Sequence, residues 1–258
     1  MTIVAASVVG IVVGLFSGLL GIGGGTIMVP VFRLIFGMSP IGATATSFFT
    51  IIPTSIAGLY KHTKNQTSVL SLGLVAGLAG AVMSPLGVLA ASHAPGWVIM
   101  AAAACVIAYS AISMFLKALH GLKQAGNALV PEMTRKSLVT GGLIGLVAGF
   151  IGGFVGVGGG FIMVPLFVSL LGIPMVYASG TSLMAVMLLA IPGTIEQALL
   201  GNISYTIGLA MAIGSMPGAV WGASLAKRIP DRNLKFIFSG FLLLVAILLI
   251  GNECSGLG

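Results

Sequence analysis

The amino-acid sequence predicts an all-α, polytopic membrane protein built from two inverted-topology repeats with glycine-broken helical hairpins. Charged residues make up 6% of the 258 positions and the mean hydropathy is +1.19, whereas about a quarter of the residues in a soluble domain are charged. No charged residue occurs from Asn65 to Leu116, and Glu196 is the only one from Ser137 to Ala226. A helix of about 20 apolar residues can cross a bilayer. The apolar runs lack the period-two alternation of transmembrane β-strands, so helices are predicted.

A glycine-proline motif that occurs twice indicates that the chain contains two copies of one unit. The segment GIGGGTIMVPVF at residues 21–32 returns as GVGGGFIMVPLF at residues 156–167, displaced by 135 residues. Between Gly14 and Phe32, 11 of 19 positions are identical to their partners at this offset. Self-similarity at a fixed offset is the sequence signature of repeated structure.

Each repeat contains five apolar segments. The first repeat has them at 2–20, 25–37, 40–60, 68–92 and 97–118, and the second at 138–155, 160–172, 175–200, 204–226 and 233–251. This pattern predicts a first transmembrane repeat at 1–118, a cytoplasmic linker at 119–136, a second transmembrane repeat at 137–251 and a polar tail at 252–258. The second segment of each repeat is too short to span comfortably, since a helix rises about 1.5 Å per residue. Each is interpreted as one arm of a hairpin with the glycine run at its tip, and whether these hairpins cross fully or are re-entrant is left open.

Basic residues orient the two repeats. They follow the third segment at Lys61 and Lys64 and the ninth segment at Lys227 and Arg228, whereas the loops near 93–95 and 201–204 have none. Basic residues flanking membrane segments mark the cytoplasmic side. Equivalent loops of the two repeats then face opposite sides, which predicts inverted topology in a multi-pass protein of the cell (inner) membrane. The net charge of +7 is explained by these anchors, and no nucleic-acid partner is expected.

The triple glycines are the predicted substrate site. A helix break in corresponding positions of two inverted repeats is the sequence pointer to the binding site of secondary transporters. The helix that restarts after the break also offers free N–H groups and a positive dipole end to an anion. The alternative is that the glycines serve only close helix packing. The predicted site residues are Gly23, Gly24, Gly25 and Thr26 in the first repeat and Gly158, Gly159 and Gly160 in the second.

Hydroxyl residues are also repeated at the same offset. Thr46 and Ser47 recur as Thr181 and Ser182. Polar groups in lipid are costly unless they are used, so these hydroxyls are predicted to contact the anion. Hydrogen bonds to their own helix backbones are the alternative.

Ionisable groups within the apolar segments are few. Glu196 could bind a coupling proton, although it lies near a segment end and could reach the interface instead. Its repeat partner is Lys61, so symmetry does not support a duplicated proton site. His62, His93 and His120 lie near segment ends and are predicted to be interfacial. Neither a metal site nor a cofactor is expected.

The two motifs together resemble a known family. The segments GIGGGTIMVP and GVGGGFIMVP, each followed by ATATS or ASGTS, and GSMPGAVWGASLAKRIPD in the second repeat are similar to the sulfite exporter TauE/SafE family of membrane permeases. The similarity extends from Gly10 through the last apolar segment. It implies secondary transport of sulfite, sulfoacetate or related sulfonates across the cell membrane, driven by the proton gradient or the membrane potential.

The leading hypothesis is therefore a transporter of a small anion that works by alternating access, one half moving against the other. A passive anion channel would use the same residues. An intramembrane enzyme is disfavoured, because the apolar segments have a single carboxylate and no histidine clearly away from their ends, whereas hydrolysis needs a nucleophile with a base. The expected partners are the anion and the lipid bilayer, and a homo-oligomer is possible.

Overall fold

The computed structural model describes the backbone of residues 2–120 and 134–255, and the side chains of residues 3–119 and 134–248. Within these residues the chain forms ten α-helices. The first five are α1 (Thr2–Leu20), α2 (Gly25–Leu34), α3 (Pro40–Lys64), α4 (Leu70–Ser92) and α5 (Gly96–His120). The others are α6 (Arg135–Val155), α7 (Gly160–Leu170), α8 (Met175–Leu199), α9 (Tyr205–Ala226) and α10 (Asp231–Ser255).

Each predicted apolar segment corresponds to one helix, which confirms the all-helical fold class. Seven of the described helices are long and apolar enough to cross a membrane, and α2 and α7 are short, with 10 and 11 residues. Most of the predicted linker, residues 121–133, and the last three residues of the predicted tail lie outside the described residues. Large apolar side chains such as Val82, Ile213 and Leu199 are exposed on the outer helix faces, where a membrane protein meets lipid.

Helices α1 and α9 pack side by side through small residues. Ideal Cβ atoms built on Gly10, Gly14 and Gly18 of α1 would collide with the backbone of α9. The residues they meet are Met211, Ser215 and Ala219 in that order, so the contact positions ascend along both helices. The glycines of α9 make the reciprocal contacts with the backbone of α1: Gly214 on Ser7, Gly218 on Ile11 and Gly222 on Leu15. The two helices therefore run parallel at backbone-to-backbone contact, which only residues without a Cβ permit at this spacing.

The helices equivalent to α1 and α9 at the 135-residue offset, α6 and α4, pack in the same way. Gly145, Gly149 and Gly153 lie on the backbone of Ala76, Gly80 and Ser84 respectively. The order is again ascending on both helices, so α6 and α4 are parallel. The repeated glycines thus build the same helix pair twice.

The two longest interior helices, α3 and α8, cross at the centre. Along this crossing His62 contacts Gly180 and Phe48 contacts Gly193, so α3 and α8 run in opposite directions. Helix α9 runs parallel to α3, because Gly208 lies beside Thr46 and Ser215 bonds Thr54. By the equivalent contacts, α4 runs parallel to α8.

Two packing groups result, and each combines helices of both predicted repeats. The first packing group contains α1, α2, α3 and α9, and the second contains α6, α7, α8 and α4. Helices α5 and α10 pack on each other, with the rings of Phe115 and Phe236 5.8 Å apart between centroids. The ring of Phe16 stacks on that of Phe241 at 4.6 Å and joins α10 to α1.

We expect Gly149→Ala to destabilise the protein. An ideal Cβ at this position would lie 2.5 Å from the Cα of Gly80, and a backbone atom has no rotamer with which to yield. Overpacking of this kind costs about 1–3 kcal/mol, so the midpoint of thermal unfolding in detergent should fall.

The matched control is Gly240→Ala on α10, where nothing lies within 4 Å of the added Cβ. Alanine is the better helix former by about 1 kcal/mol, so this variant should unfold at the same or a slightly higher temperature. Equal midpoints for Gly149→Ala and the unaltered protein would contradict the packing argument.

Candidate functional site

Each hairpin contains one buried glycine turn, which joins its two helices. The first glycine turn, Gly21–Gly25, connects α1 to α2, and the second glycine turn, Gly156–Gly160, connects α6 to α7. In each turn the first, third and fourth residues have positive φ, from +69° to +87°. Glycine adopts this conformation without steric cost. The backbone path of each turn therefore accounts for these glycines independently of helix packing.

The structure brings the two turns together. A Cβ on Gly160 would lie 2.9 Å from the carbonyl oxygen of Gly21, and one on Gly25 would collide with the carbonyl of Val157. All ten residues of the two turns are buried within the protein. Residues 23–25 and 158–160, the predicted substrate site, thus lie in one place away from the outer surface.

Two aliphatic side chains fill the space between the turns. Ile51 of α3 reaches within 2.9 Å of a Cβ built on Gly158, and Val186 of α8 within 2.9 Å of one built on Gly160. Ile51 and Val186 are repeat partners, 135 residues apart. They lie where α3 and α8 cross, so the described conformation is closed at its centre.

Each repeated threonine connects its own helix to the start of a helix in the other repeat: Thr46 connects α3 to α9, and Thr181 connects α8 to α4. Thr46 Oγ1 accepts a hydrogen bond from the N–H of Ser204, at 3.0 Å, and Thr181 Oγ1 accepts one from the N–H of Val69, at 2.9 Å. Ser204 and Val69 are the N-cap residues of α9 and α4. Each threonine thereby satisfies a backbone donor at a helix start, where no intrahelical acceptor exists.

The repeated serines hold the glycine turns. The hydroxyl of Ser182 donates to the carbonyl of Gly21 at 2.6 Å, and that of Ser47 donates to the carbonyl of Gly156. Each serine therefore binds the turn of the opposite repeat. In this conformation the four hydroxyls are engaged with backbone, and their contact with a substrate stays a prediction.

The remaining predicted site residues differ in position. Thr26, in the first turn of α2, is fully buried and its hydroxyl has no hydrogen-bond partner. Glu196 is partly buried, with one carboxylate oxygen that also lacks a hydrogen-bond partner. It lies ten residues beyond Val186 on α8, which is about 15 Å along the helix axis. Glu196 is therefore not grouped with the glycine turns.

The prediction that His62 is interfacial is wrong. Its side chain is fully buried, with Nε2 2.8 Å from the carbonyl oxygen of Gly18 and Nδ1 2.8 Å from the hydroxyl of Thr67. Its repeat partner Gln197 makes the matching contact, accepting from the side chain of Asn202 at 2.8 Å. A polar residue at this position joins the end of each interior helix to the loop that follows. The burial arises because α3 continues to Lys64 and packs against α8.

Sequence reasoning also missed several serines near the turns. Ser17, Ser55 and Ser179 are fully buried and their hydroxyls have no hydrogen-bond partner. Ser17 and Ser55 do not recur in the other repeat, so the duplication did not single them out. Ser55 lies one helical turn after Ile51, on the face of α3 that meets the turns. The sequence alone does not indicate which face of α3 this is.

The architecture described above is that of a multi-pass membrane protein. A family model described as Sulfite exporter TauE/SafE matches residues 6–249. Because the match covers nearly the whole chain, the chain belongs to the TauE/SafE family, which the sequence motifs predicted.

Relatives of this chain carry transporter names. It is 27% identical to the probable membrane transporter protein YjnA of Bacillus subtilis, over 96% of this chain and 99% of the relative. It is also 27% identical to YdhB of the same organism, over 86% and 89%, and 24% identical to MJ0441 of Methanocaldococcus jannaschii, over 91% and 90%. Both of these are likewise named probable membrane transporter proteins. No solved structure matches the chain.

We predict that Thr46→Val and Thr181→Val each lower the free energy of unfolding. Valine keeps the shape of the side chain but leaves the N–H of Ser204 or Val69 without its acceptor. Hydrogen bonds between membrane helices contribute about 0.6–1.7 kcal/mol, and losses of that size should appear in equilibrium unfolding in mixed micelles.

Thr194→Val is the control, because the hydroxyl of Thr194 donates only to the carbonyl of Ala190 in its own helix. A loss for Thr194→Val as large as that for the two test variants would argue against the role assigned to the repeated threonines.

Proposed function

We propose that this protein is a secondary transporter that moves sulfite, an organosulfonate or a related small anion across the cell membrane by alternating access. The observation that carries the proposal is the meeting of two buried glycine turns where α3 and α8 cross. The family description and the names of the relatives support a transport function. The finer assignment of an anion rests on the chemistry of the turns.

The turns offer hydrogen-bond donors without formal charge. Helices α2 and α7 begin in the turns, and their first N–H groups have no intrahelical acceptor. A helix N-terminus favours an anion by about 0.3–1 kcal/mol at an exposed site, and burial strengthens electrostatic interactions. Neutral donors bind an anion without holding it as a permanent ion pair, which suits a substrate that must leave on the other side.

Inverted topology of the repeats is part of the same proposal. Helices that are equivalent in the two repeats run in opposite directions. Helix α3 is antiparallel to α8. Helices α1 and α9 are parallel to α3, whereas their equivalents α6 and α4 are parallel to α8. The C-terminal ends of α3 and α9 lie together, because the side chain of Asn65 donates to the carbonyl of Ala223 at 3.3 Å. Lys61 and Lys64 lie at the end of α3, and Lys227 directly follows α9. This end is assigned to the cytoplasm.

The moving bodies of the transporter are the two packing groups rather than the two sequence repeats. Within each group the paired helices lie at glycine–backbone contact over several turns, so sliding would break many close contacts at once, whereas between the groups such contacts occur at the glycine turns. Between the groups, the crossing of α3 and α8 includes Ile51 and Val186, which fill the centre. Separation of these two side chains would open the glycine turns to one side of the membrane.

Two other functions are weighed against this one. A passive channel would use the same donors but needs an open path, and the described conformation is closed between the turns. An enzyme would need a nucleophile paired with a base, and none of the described hydroxyls at the turns is hydrogen-bonded to a histidine or a carboxylate. We therefore propose a transporter that is not an enzyme, with the anion and the bilayer as partners and a homo-oligomer as the candidate assembly.

We expect Gly24→Leu and Gly159→Leu to abolish uptake of sulfite into proteoliposomes. Gly24 and Gly159 have φ of +87° and +69°, which leucine rarely adopts, and the added side chains would fill the turns. Gly240→Leu, in open space on α10, should transport normally. Unimpaired uptake by both turn variants, at equal inserted amounts, would defeat the site assignment.

Two further measurements distinguish a coupled transporter from a channel and identify the class of anion that binds. For a coupled transporter, collapse of the proton gradient and membrane potential by ionophores should prevent accumulation of the anion above equilibrium. A selective rise of the unfolding temperature with sulfite, sulfate, sulfonates or carboxylates would identify the preferred anion, since a ligand stabilises the state it binds. Anion flux that is downhill only, with or without ionophore, would favour the channel.

A further inference from the structure

The buried hydroxyls without hydrogen-bond partners are distributed unevenly around the two glycine turns. Among the described residues, five serine and threonine hydroxyls are fully buried and unpaired: Ser17, Thr26, Ser55, Ser84 and Ser179. Four of these residues lie at the first glycine turn, and only Ser84 lies elsewhere. The repeated scaffold therefore carries a polar feature at one turn that it lacks at the other.

Contacts place the four residues around the first turn. The hydroxyl oxygen of Ser55 is 3.3 Å from the position of a Cβ on Gly23, and the Cβ of Ser17 is 3.6 Å from that of one on Gly24. Thr26 directly follows the turn, and Ser179 packs its backbone against Gly21. Ser84, by contrast, lies beside Gly153 and Gly193.

The equivalent positions at the second turn are apolar or already bonded. The repeat partners of Ser17, Thr26 and Ser55 are Gly152, Phe161 and Ala190. The partner of Ser179 is Thr44, whose hydroxyl donates to the carbonyl of Ile41 at 2.8 Å. A Cβ on Gly152 would also lie 2.6 Å from the amide nitrogen of Gly159, so the second turn has no room for the side chain that Ser17 places at the first.

Unpaired hydroxyls in this setting need an explanation. A serine or threonine in an apolar helix commonly donates to a carbonyl of the preceding turn, as Ser224 does to Val220 and Thr194 to Ala190. A buried hydroxyl left unpaired destabilises the protein. Four such groups around one turn are accounted for if their role is to bind a ligand.

We propose that the first glycine turn, with the hydroxyls of Ser17, Thr26, Ser55 and Ser179, is a one-sided binding site for an oxyanion, and that the second turn closes over it as a lid without unpaired hydroxyls. This inference rests on the proposed transport function and assigns the side-chain donors to one of the two turns. Several rotatable O–H donors and the N–H groups at the start of α2 match an anion with several acceptor oxygens, such as sulfite or a sulfonate group. Val186, which contacts Gly23, must withdraw for the anion to enter.

The test compares Ser17→Ala and Ser55→Ala with Ser84→Ala in the full-length protein. Ser84 is the matched control, since it is equally buried and unpaired but lies away from the first turn. Affinity for sulfite and for methanesulfonate is measured by calorimetry in detergent, and uptake of sulfite is measured in proteoliposomes. We expect the first two variants to weaken binding about tenfold or more, as for loss of a hydrogen bond to a charged group, and Ser84→Ala to bind normally.

Thermal unfolding in the absence of anion separates a binding role of these serines from a structural role. If the serines stabilised the fold, their removal would lower the unfolding temperature. Removal of an unpaired buried hydroxyl should leave the unfolding temperature unchanged or raise it, so Ser17→Ala and Ser55→Ala should be stable yet bind poorly. Because these residues lie on α1 and α3, the two variants report independently.

The outcomes distinguish this inference from the function on which it rests. Uptake by the unaltered protein, with Ser17→Ala and Ser55→Ala binding as well as Ser84→Ala, would overturn the one-sided site and leave the transporter intact. Equal weakening by all three variants would also overturn it. An unaltered protein that neither binds nor transports either anion would overturn both proposals.

Discussion

Close approach of helix backbones within lipid is the constraint on which the rest of the structure depends. Lipid tails are as apolar as leucine, so helices in a bilayer associate by packing and hydrogen bonding rather than by the hydrophobic effect. The pairs α1–α9 and α4–α6 meet this requirement with a glycine at each turn of α1, α9 and α6 where the helices touch. This packing binds helices of different repeats into two groups, and it positions both hairpins so that their tips meet.

The hairpin tips are then held by a small number of polar contacts. Ser182 binds the carbonyl of Gly21, and Ser47 binds that of Gly156, each across the crossing of α3 and α8. The glycine turns expose backbone groups inside the membrane, which is tolerated only where they are buried in protein or line a cavity. Both turns satisfy that condition by contact with each other. The symmetric polar residues thus serve the scaffold, while the hydroxyls of Ser17, Thr26 and Ser55 have no hydroxyl counterpart at the second turn.

Much of the fold was accessible from the sequence because the solvent is lipid. A spanning helix must be long and apolar, so each segment could be recognised from composition, and every predicted segment became a helix. The glycine runs were recognised because they occur twice and interrupt apolar sequence. Ser17, Ser55 and His62 were missed, because a single hydroxyl or imidazole in an apolar segment gives no sign of whether it faces lipid, a neighbouring helix or a turn. The end of α3 was also placed at residue 60 instead of Lys64, which moved His62 to the surface in the prediction.

By itself the sequence determined that the chain is helical and membrane-embedded, that its two halves share one design, and that each half breaks at a run of glycines. These properties follow from hydropathy, from the 135-residue offset and from the conformational freedom of glycine, all of which are local or periodic. Only the tertiary structure decided that α9 packs with α1 and α4 with α6, that the two turns touch, and that the hydroxyls of Ser17 and Ser55 gather at one turn. Such contacts depend on helix direction and on which face of each helix points inward, and those are set by the packing of all the helices together.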